Sequence, residues 1–455
     1  MKYILKNHLY IIGLALTISF AVALNWQTPP NLDEARAYII ARYLSPIEIF
    51  SISKTEGHPF LWFFILMPIT KLHTFYPIPL YAINLIFIII ALYILYSNKS
   101  IPTYIKYFIT LSTPFLKFYN SFARCYSLTI MLSFIILKIR EQRFSKPFTY
   151  LFLIILLANS SAMGFFIASS LWALFLYENF VKIKSTQNTT TTYLIIFCGV
   201  VELFLLFLQF YGYNTQIPIV TPKFKTLKDG LNIAYSPINV YMLIILYIAS
   251  FCIFIKQKKY QSFFFLLFTS TQLTILINFI HRGGGQHYYF YYINLIYAYL
   301  IAQKLKHLHF IPLAILSFAL IFNTNMHYKK HDISYLTDLK ISALEINKLY
   351  PTQPQEIFAF EDIQSNIFEP YLKSNITLLN QTGKSLKTLK GLEEFLYYLY
   401  IPIKAKDIER IAQKNPHTLL YKACGEDVYY NSNLKFNLKH RLNQQYCLYS
   451  ININN

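Results

Sequence analysis

Long apolar runs separated by short polar breaks fill the first 325 residues. They centre on 8–24, 58–73, 78–96, 103–118, 125–140, 148–158, 162–180, 193–211, 239–255, 262–280, 287–303 and 308–323. Their length and scarcity of charge predict helices that cross a bilayer, although several fall short of the ~20 residues an untilted span needs. The run at 8–24 follows Lys2 and Lys6. The run is read as a retained first helix.

From about residue 330 the pattern changes. Strand-like pieces at 356–360, 376–379, 418–421 and 446–450 alternate with helical pieces at 392–400 and 406–413, as in a small α/β domain. The expected organisation is an all-α polytopic membrane module over 1–325, with about 11–13 transmembrane helices, and a soluble α/β domain over 326–455. No G-x-G-x-x-G fingerprint supports nucleotide binding. No internal repeat of 20–50 residues is evident, which weighs against transporters built from duplicated halves.

Composition strengthens the membrane reading. Of 455 residues, 55% are hydrophobic and only 14% charged, too few charges for a soluble chain of this length. Tyr and Phe, at 39 and 40 copies, either suit bilayer interfaces and wide internal cavities or follow a general compositional bias, since Lys, Ile and Asn are common too. The net charge of +20 would suggest nucleic acid in a soluble protein. Here no nucleic-acid signature accompanies it, and the basic residues sit in short loops and in the tail, where they meet anionic membrane lipid.

Those basic residues also set an orientation. Lys138 to Lys146, Lys182 with Lys184, Lys256 to Lys259, and Lys304 with Lys306 are placed inside by the positive-inside rule. Residues 159–161, 212–238, 281–286, Arg124 and the tail then lie outside. An N-terminus held inside by Lys2 and Lys6 puts 25–57 outside as well. The run at 58–73, with only 16 residues and Pro68 within it, does not then fit a single crossing. Either it dips and returns, or the rule fails once. Cys125, Cys198 and Cys252 read as packing residues; Cys424 and Cys447 either pair outside the cytoplasm or remain free thiols.

Candidate chemistry concentrates where charge stands against this background. The loop 25–57 carries Asp33-Glu34 and ends in Glu56-Gly57-His58-Pro59. Carboxylates beside a bilayer are costly and are more often kept for chemistry than for packing. Residues 35–50 read as an amphipathic helix lying flat on the bilayer and ended by Ser45-Pro46. Asp33, just before it, is either a first-turn acid favoured by the helix dipole or a general base. Glu56 and His58 are close enough to share a cavity or a cation, which leaves a divalent cofactor open. Arg124 opens an apolar helix; it either snorkels to the interface or clamps a phosphate. In His281-Arg282-Gly-Gly-Gly-Gln-His287, Arg282 and His287 flank three glycines, as in a flexible hairpin or an anion site. The loop 212–238, with Lys223, Lys225 and Lys228, reads equally as a lid or a solvated loop.

Three short motifs, Asp33-Glu34-Ala-Arg-Ala-Tyr38, Gly57-His58-Pro59 and Ala123-Arg124-Cys-Tyr126-Ser-Leu128, resemble those of the GT-C glycosyltransferases. The likeness is to the bacterial relatives of protein mannosyltransferases and lipid A aminoarabinose transferases, and it covers about 1–325. Phe60 stands where that family has a second proline, and Phe122 where it has a glutamate. The resemblance implies transfer of a sugar from a polyprenyl-phosphate carrier to a lipid, glycan or protein acceptor at the external face of a bacterial inner membrane. Asp33, with Glu34, would be catalytic. Glu56, His58, Arg124, Tyr126, Arg282 and His287 would hold substrate, with the arginines on the carrier phosphate. An O-antigen-type polymerase or ligase, and a transporter or flippase without covalent chemistry, are the alternatives.

Overall fold

The computed structural model describes residues 11–19, 22–23, 30–56, 58–70, 76–120, 122–186, 189–210, 224–235, 240–277, 285–322, 330–359, 368–380, 382–398, 405–425 and 434–453. The protein is mostly α-helical. The first helices are α1 (Leu32–Tyr43), α2 (Pro46–Glu56), α3 (Leu61–Thr70), α4 (Ile78–Ser97), α5 (Thr103–Leu111), α6 (Cys125–Ile139), α7 (Pro147–Ala158) and α8 (Ala162–Thr186). There follow α9 (Thr189–Phe210), α10 (Phe224–Ala234), α11 (Val240–Lys256), α12 (Tyr260–Ile275), α13 (Gly285–Ala302) and α14 (Ile311–Ala319). Each apolar run of the sequence contains helix. Among the described residues two helical stretches, Ile78–Ser97 and Ala162–Val181, are long and apolar enough to cross a membrane. The helix α3, ten residues with Pro68 inside it, is about 15 Å long, half a bilayer's hydrocarbon thickness.

The chain forms two compact units. One holds residues 1–25, 57–62 and 81–327; the other holds 26–56, 63–80 and 328–455.

The first unit is built around α13. From His287 to Ala302 every residue of this helix is buried, six tyrosines among them. A helix that is apolar or aromatic all round belongs in an interior. On α9 the usual polarity is inverted: Tyr193, Phe197, Val200 and Phe204, along one face, are exposed, while Thr192, Glu202 and Gln209 are buried. The segment 212–238, expected as a loop, contains the helix α10. It lies against α13 where Gly230 meets the Tyr288 ring so closely that any Cβ would collide with it. Tyr235 Oη donates to Tyr288 O at 2.8 Å and accepts from Tyr292 N at 2.9 Å.

The second unit joins α1 and α2 to the C-terminal region. Its sheet comprises β1 (Gln355–Ala359), β2 (Ile376–Leu379), β3 (Leu419–Ala423), β4 (Leu434–Arg441) and β5 (Tyr446–Ile453), in the order β2-β1-β3-β5-β4. The first three strands are parallel and β3-β5-β4 antiparallel. Side chains alternate across the sheet as the two-residue period of a strand requires. Ile357, Leu378, Tyr421 and Leu448 enter one core with Leu339, Ala343 and Ile346 of α15 (Lys330–Leu349). Phe358, Leu379, Leu420 and Tyr449 enter the other with Ile408 and Ile411. These last two belong to α17 (Ala405–Lys414), which follows α16 (Leu389–Tyr398). The sheet is thus covered on both faces. Cys424 and Cys447 form a disulfide, which answers the choice between a bridge and free thiols.

The expected surface helix over 35–50 is corrected. α1 starts at Leu32 and ends at Tyr43, and α2 begins at Pro46. Ser45 N and Oγ both donate to Glu48 Oε2 at 2.8 Å, and Pro46 occupies the first helical position, where a missing N–H costs nothing. Glu34 through Ala41 are all buried, so α1 has no open apolar face to lay on a bilayer.

Candidate functional site

In the first unit the structure draws three of the proposed substrate-binding residues together. Tyr126 Oη lies 2.9 Å from His287 Nε2. The His58 ring stands edge-on to Tyr126 at 6.0 Å between centroids. Phe122 stacks on Tyr126 nearly in parallel at 6.4 Å, and Tyr119 and Phe290 complete the aromatic wall. His58, Tyr126 and His287 are thus adjacent although 161 residues separate the last two.

Each member is fixed by its local backbone. Tyr126 sits in the first turn of α6, and His287 near the start of α13. Arg124 is the residue before α6, in extended conformation. The residue is only 7% exposed, so it is enclosed by protein and does not snorkel to a surface. A buried guanidinium next to a helix N-terminus makes a region of positive potential with donors directed outward from the helix. The segment after His58 is held by a buried polar chain. Asn159 Nδ2 donates to both carboxylate oxygens of Glu202, at 2.8 and 3.0 Å. Gln209 Nε2 donates to Asn159 Oδ1 at 3.0 Å, and Phe60 N donates to Gln209 Oε1 at 3.2 Å.

Between α5 and α6 the chain widens into a π-helical turn, Pro114–Tyr119. Such turns leave carbonyls unpaired and recur at functional sites. Here Asn84 Nδ2 supplies the missing donor to Tyr119 O and Asn120 O, at 2.9 and 3.0 Å. Asn120 is fully buried, yet neither polar atom of its amide has a hydrogen-bond partner among the described residues. It offers one donor and one acceptor group beside the Tyr119–Tyr126 wall.

The acidic candidates lie in the second unit. Glu34 is occupied structurally: its Oε2 accepts from Asn31 N at 2.9 Å while Asn31 Oδ1 accepts from Glu34 N at 3.0 Å. This reciprocal capping box starts α1. Asp33, also in the first turn, takes no part in the box. Glu56 forms a buried ion pair with Arg36, which reaches Leu392 O with its Nη2 at 3.4 Å. Arg282 lies outside the described residues. No group of three or more His, Cys, Asp or Glu side chains is gathered to hold a metal ion among the described residues.

The other end of α1 meets a buried acid. Glu369, fully enclosed, faces Arg42, Tyr43 and Lys387, with Lys387 Nζ at 3.6 Å. Burial outweighs these neighbours and pushes its carboxyl up to about 7. Between the ordinary carboxylate range and pH 7 the folded protein therefore holds a proton that the unfolded chain has released. Stability should fall as pH rises through that window and level off above it. The loss expected is on the order of 3 kcal/mol, and Glu369→Gln should remove the slope. Denaturant unfolding at pH 5 and pH 8 measures it; an equal slope in both proteins would refute the assignment.

Sequence reasoning missed Asn120, Asn159, Glu202 and Gln209. Glu202 alone carried a signal, as a lone acid in an apolar run. Comparison with protein-family models, curated proteins and solved structures finds no match to this chain.

Proposed function

We propose that this protein is a membrane glycosyltransferase that moves a sugar from a polyprenyl-phosphate donor to a cell-envelope acceptor on the external face. The observation that carries the reading is the meeting of His58, Tyr126 and His287 beside buried Arg124. These residues come from two of the resembling motifs and from the glycine-flanked histidine, far apart in the chain. Stacked aromatics and imidazoles suit a sugar ring, whose C–H faces are apolar and whose hydroxyls need polar partners. The unpartnered amide of Asn120 can provide such a partner.

In the reaction the bond between the anomeric carbon and the phosphate oxygen breaks, and a bond from the acceptor oxygen forms. Negative charge grows on the leaving phosphate. A guanidinium already fixed in a dry site stabilises that charge without reorganising, a role assigned to Arg124. The acceptor's proton passes to a base, a role that the likeness of its motif gives to Asp33.

Membrane placement is supported by α9, whose exposed face is apolar and whose polar side chains turn inward, as expected when the surroundings are lipid. The Cys424–Cys447 disulfide supports a C-terminal region outside the cytoplasm, where such bonds persist.

Reconstituted protein supplied with a panel of labelled polyprenyl-phosphate sugars should transfer label to cell-envelope acceptors. Arg124→Ala should reduce turnover by about 10²–10³-fold, the usual cost of removing one charge-stabilising donor. Arg124→Lys controls for folding. Transfer from nucleotide sugars only, or full turnover in Arg124→Ala, would sink the proposal.

A further inference from the structure

A polar cavity lies within the first unit, lined by none of the motif residues above. It has a volume of about 580 Å³ and is lined by the turn between α6 and α7, the turn between α11 and α12, and the end of α13. Arg140, Arg143, Lys258, Lys259 and Lys304 contribute five cations to its wall, against one acid, Glu141.

The two arginines are already engaged. Arg140 Nη2 donates to Glu178 Oε1 and to Gln261 Oε1, both at 2.8 Å, and Arg143 Nε donates to Glu178 Oε2 at 2.5 Å. They form a rigid frame joining α8 and α12 to the α6–α7 turn. The three lysines have no carboxylate partner among the described residues. The backbone around them is unusual. Lys258, Gln303 and Lys304 all have positive φ, a conformation that L residues other than Asn and Asp seldom adopt. The chain is thus bent at both turns so that separate ammonium groups border one space. A preference for basic residues on one side of a membrane explains their presence in these loops, but not their convergence on a single framed cavity.

Two tyrosines at the wall, Tyr177 and Tyr260, are exposed. Tyrosine favours the depth where lipid headgroups meet hydrocarbon. A ligand with a compact negative head and an apolar remainder matches both features.

We propose that this cavity binds a phosphate group, carried by the headgroup of an anionic membrane lipid. Lys258, Lys259 and Lys304 meet the charge, and the Arg140–Glu178–Arg143 frame holds the turns that present them. The lipid source rests on the membrane placement argued above; the phosphate chemistry does not.

The test uses the full chain in detergent, titrated separately with short-chain phosphatidylglycerol, short-chain phosphatidylcholine and inorganic phosphate. Binding is read by native mass spectrometry and by the shift in melting temperature. Phosphatidylglycerol should bind at least tenfold more tightly than phosphatidylcholine. Lys→Gln at 258, 259 or 304 should weaken it by about fivefold each, the worth of one basic residue near an anionic headgroup. Single variants suffice if the triple variant does not fold. Phosphatidylglycerol binding that inorganic phosphate does not displace assigns the site to lipid. Protection by inorganic phosphate as strong as by phosphatidylglycerol supports the same site with a soluble ligand. Equal binding of the two lipids with no effect of phosphate overturns the proposal, as does wild-type affinity in the lysine variants. Sugar transfer is scored separately, so failure here and failure of the glycosyltransferase reading are distinct results.

Discussion

Asp33→Asn should lower sugar transfer by about 10²–10⁴-fold, the usual worth of a positioned general base, and leave folding and membrane insertion unchanged. Asparagine has nearly the volume of aspartate, and the capping box that starts α1 belongs to Asn31 and Glu34. The cap therefore survives the substitution, and the lost interaction of a carboxylate with the helix dipole costs about 0.3–1 kcal/mol. The neighbouring acid provides the contrast. Glu34→Gln keeps a side chain able to accept from the Asn31 N–H, so it should transfer sugar at a rate within a few-fold of wild type. Turnover measured at saturating donor, together with melting temperature, separates the two roles. Full turnover in Asp33→Asn would remove the catalytic assignment; loss in Glu34→Gln with normal stability would move it one residue along the chain.

Glu56→Ala should destabilise the protein by about 3–5 kcal/mol, the cost of leaving one partner of a buried ion pair uncompensated. Both side chains are 5% exposed, so the pair is buried. Removal of the carboxylate strands a guanidinium between α1, α2 and the Leu392 carbonyl. Replacing both partners with methionine should restore most of the stability, because the desolvation cost disappears with the charges. Equilibrium unfolding of the two variants measures this. If Glu56→Ala keeps wild-type stability and instead raises the KM for acceptor, Glu56 belongs to substrate binding, as the sequence motif implies.

The helices were legible because bilayer-like runs announce themselves by composition, whatever their partners. Strands β1, β2, β3 and β5 were legible for a related reason: their alternate residues enter two cores, so both positions are apolar. Strand β4 was not. It is an edge strand with Lys435, Lys439 and His440 in an eight-residue span, and edge strands carry charge that lowers their strand signal. Helix α15 was overlooked although Leu339, Ala343 and Ile346 repeat at helical spacing, because its polar face dominates the local composition. At the candidate site, motif likeness pointed to His58 and Tyr126, and the glycine-rich basic cluster to His287, but nothing pointed to the Asn159–Glu202–Gln209 chain behind them. Those residues act on backbone atoms distant in sequence, and no local pattern encodes such a partner. The role of Glu34 could be read in advance from Asn31-Leu-Asp-Glu34, whose spacing is that of a capping box.

The hydrogen bond from Arg36 to the Leu392 carbonyl spans 356 positions of the chain. At typical synthesis rates of about 5–20 residues per second, α1 leaves the ribosome roughly 20–70 s before its partner exists. During that interval Ala35 through Ala41 and the Arg36 charge lack the C-terminal residues that complete their surroundings. Completion of this unit therefore waits on synthesis of the C-terminal region, and a chain stopped after residue 327 would display the unfinished surface of α1 to quality-control proteases.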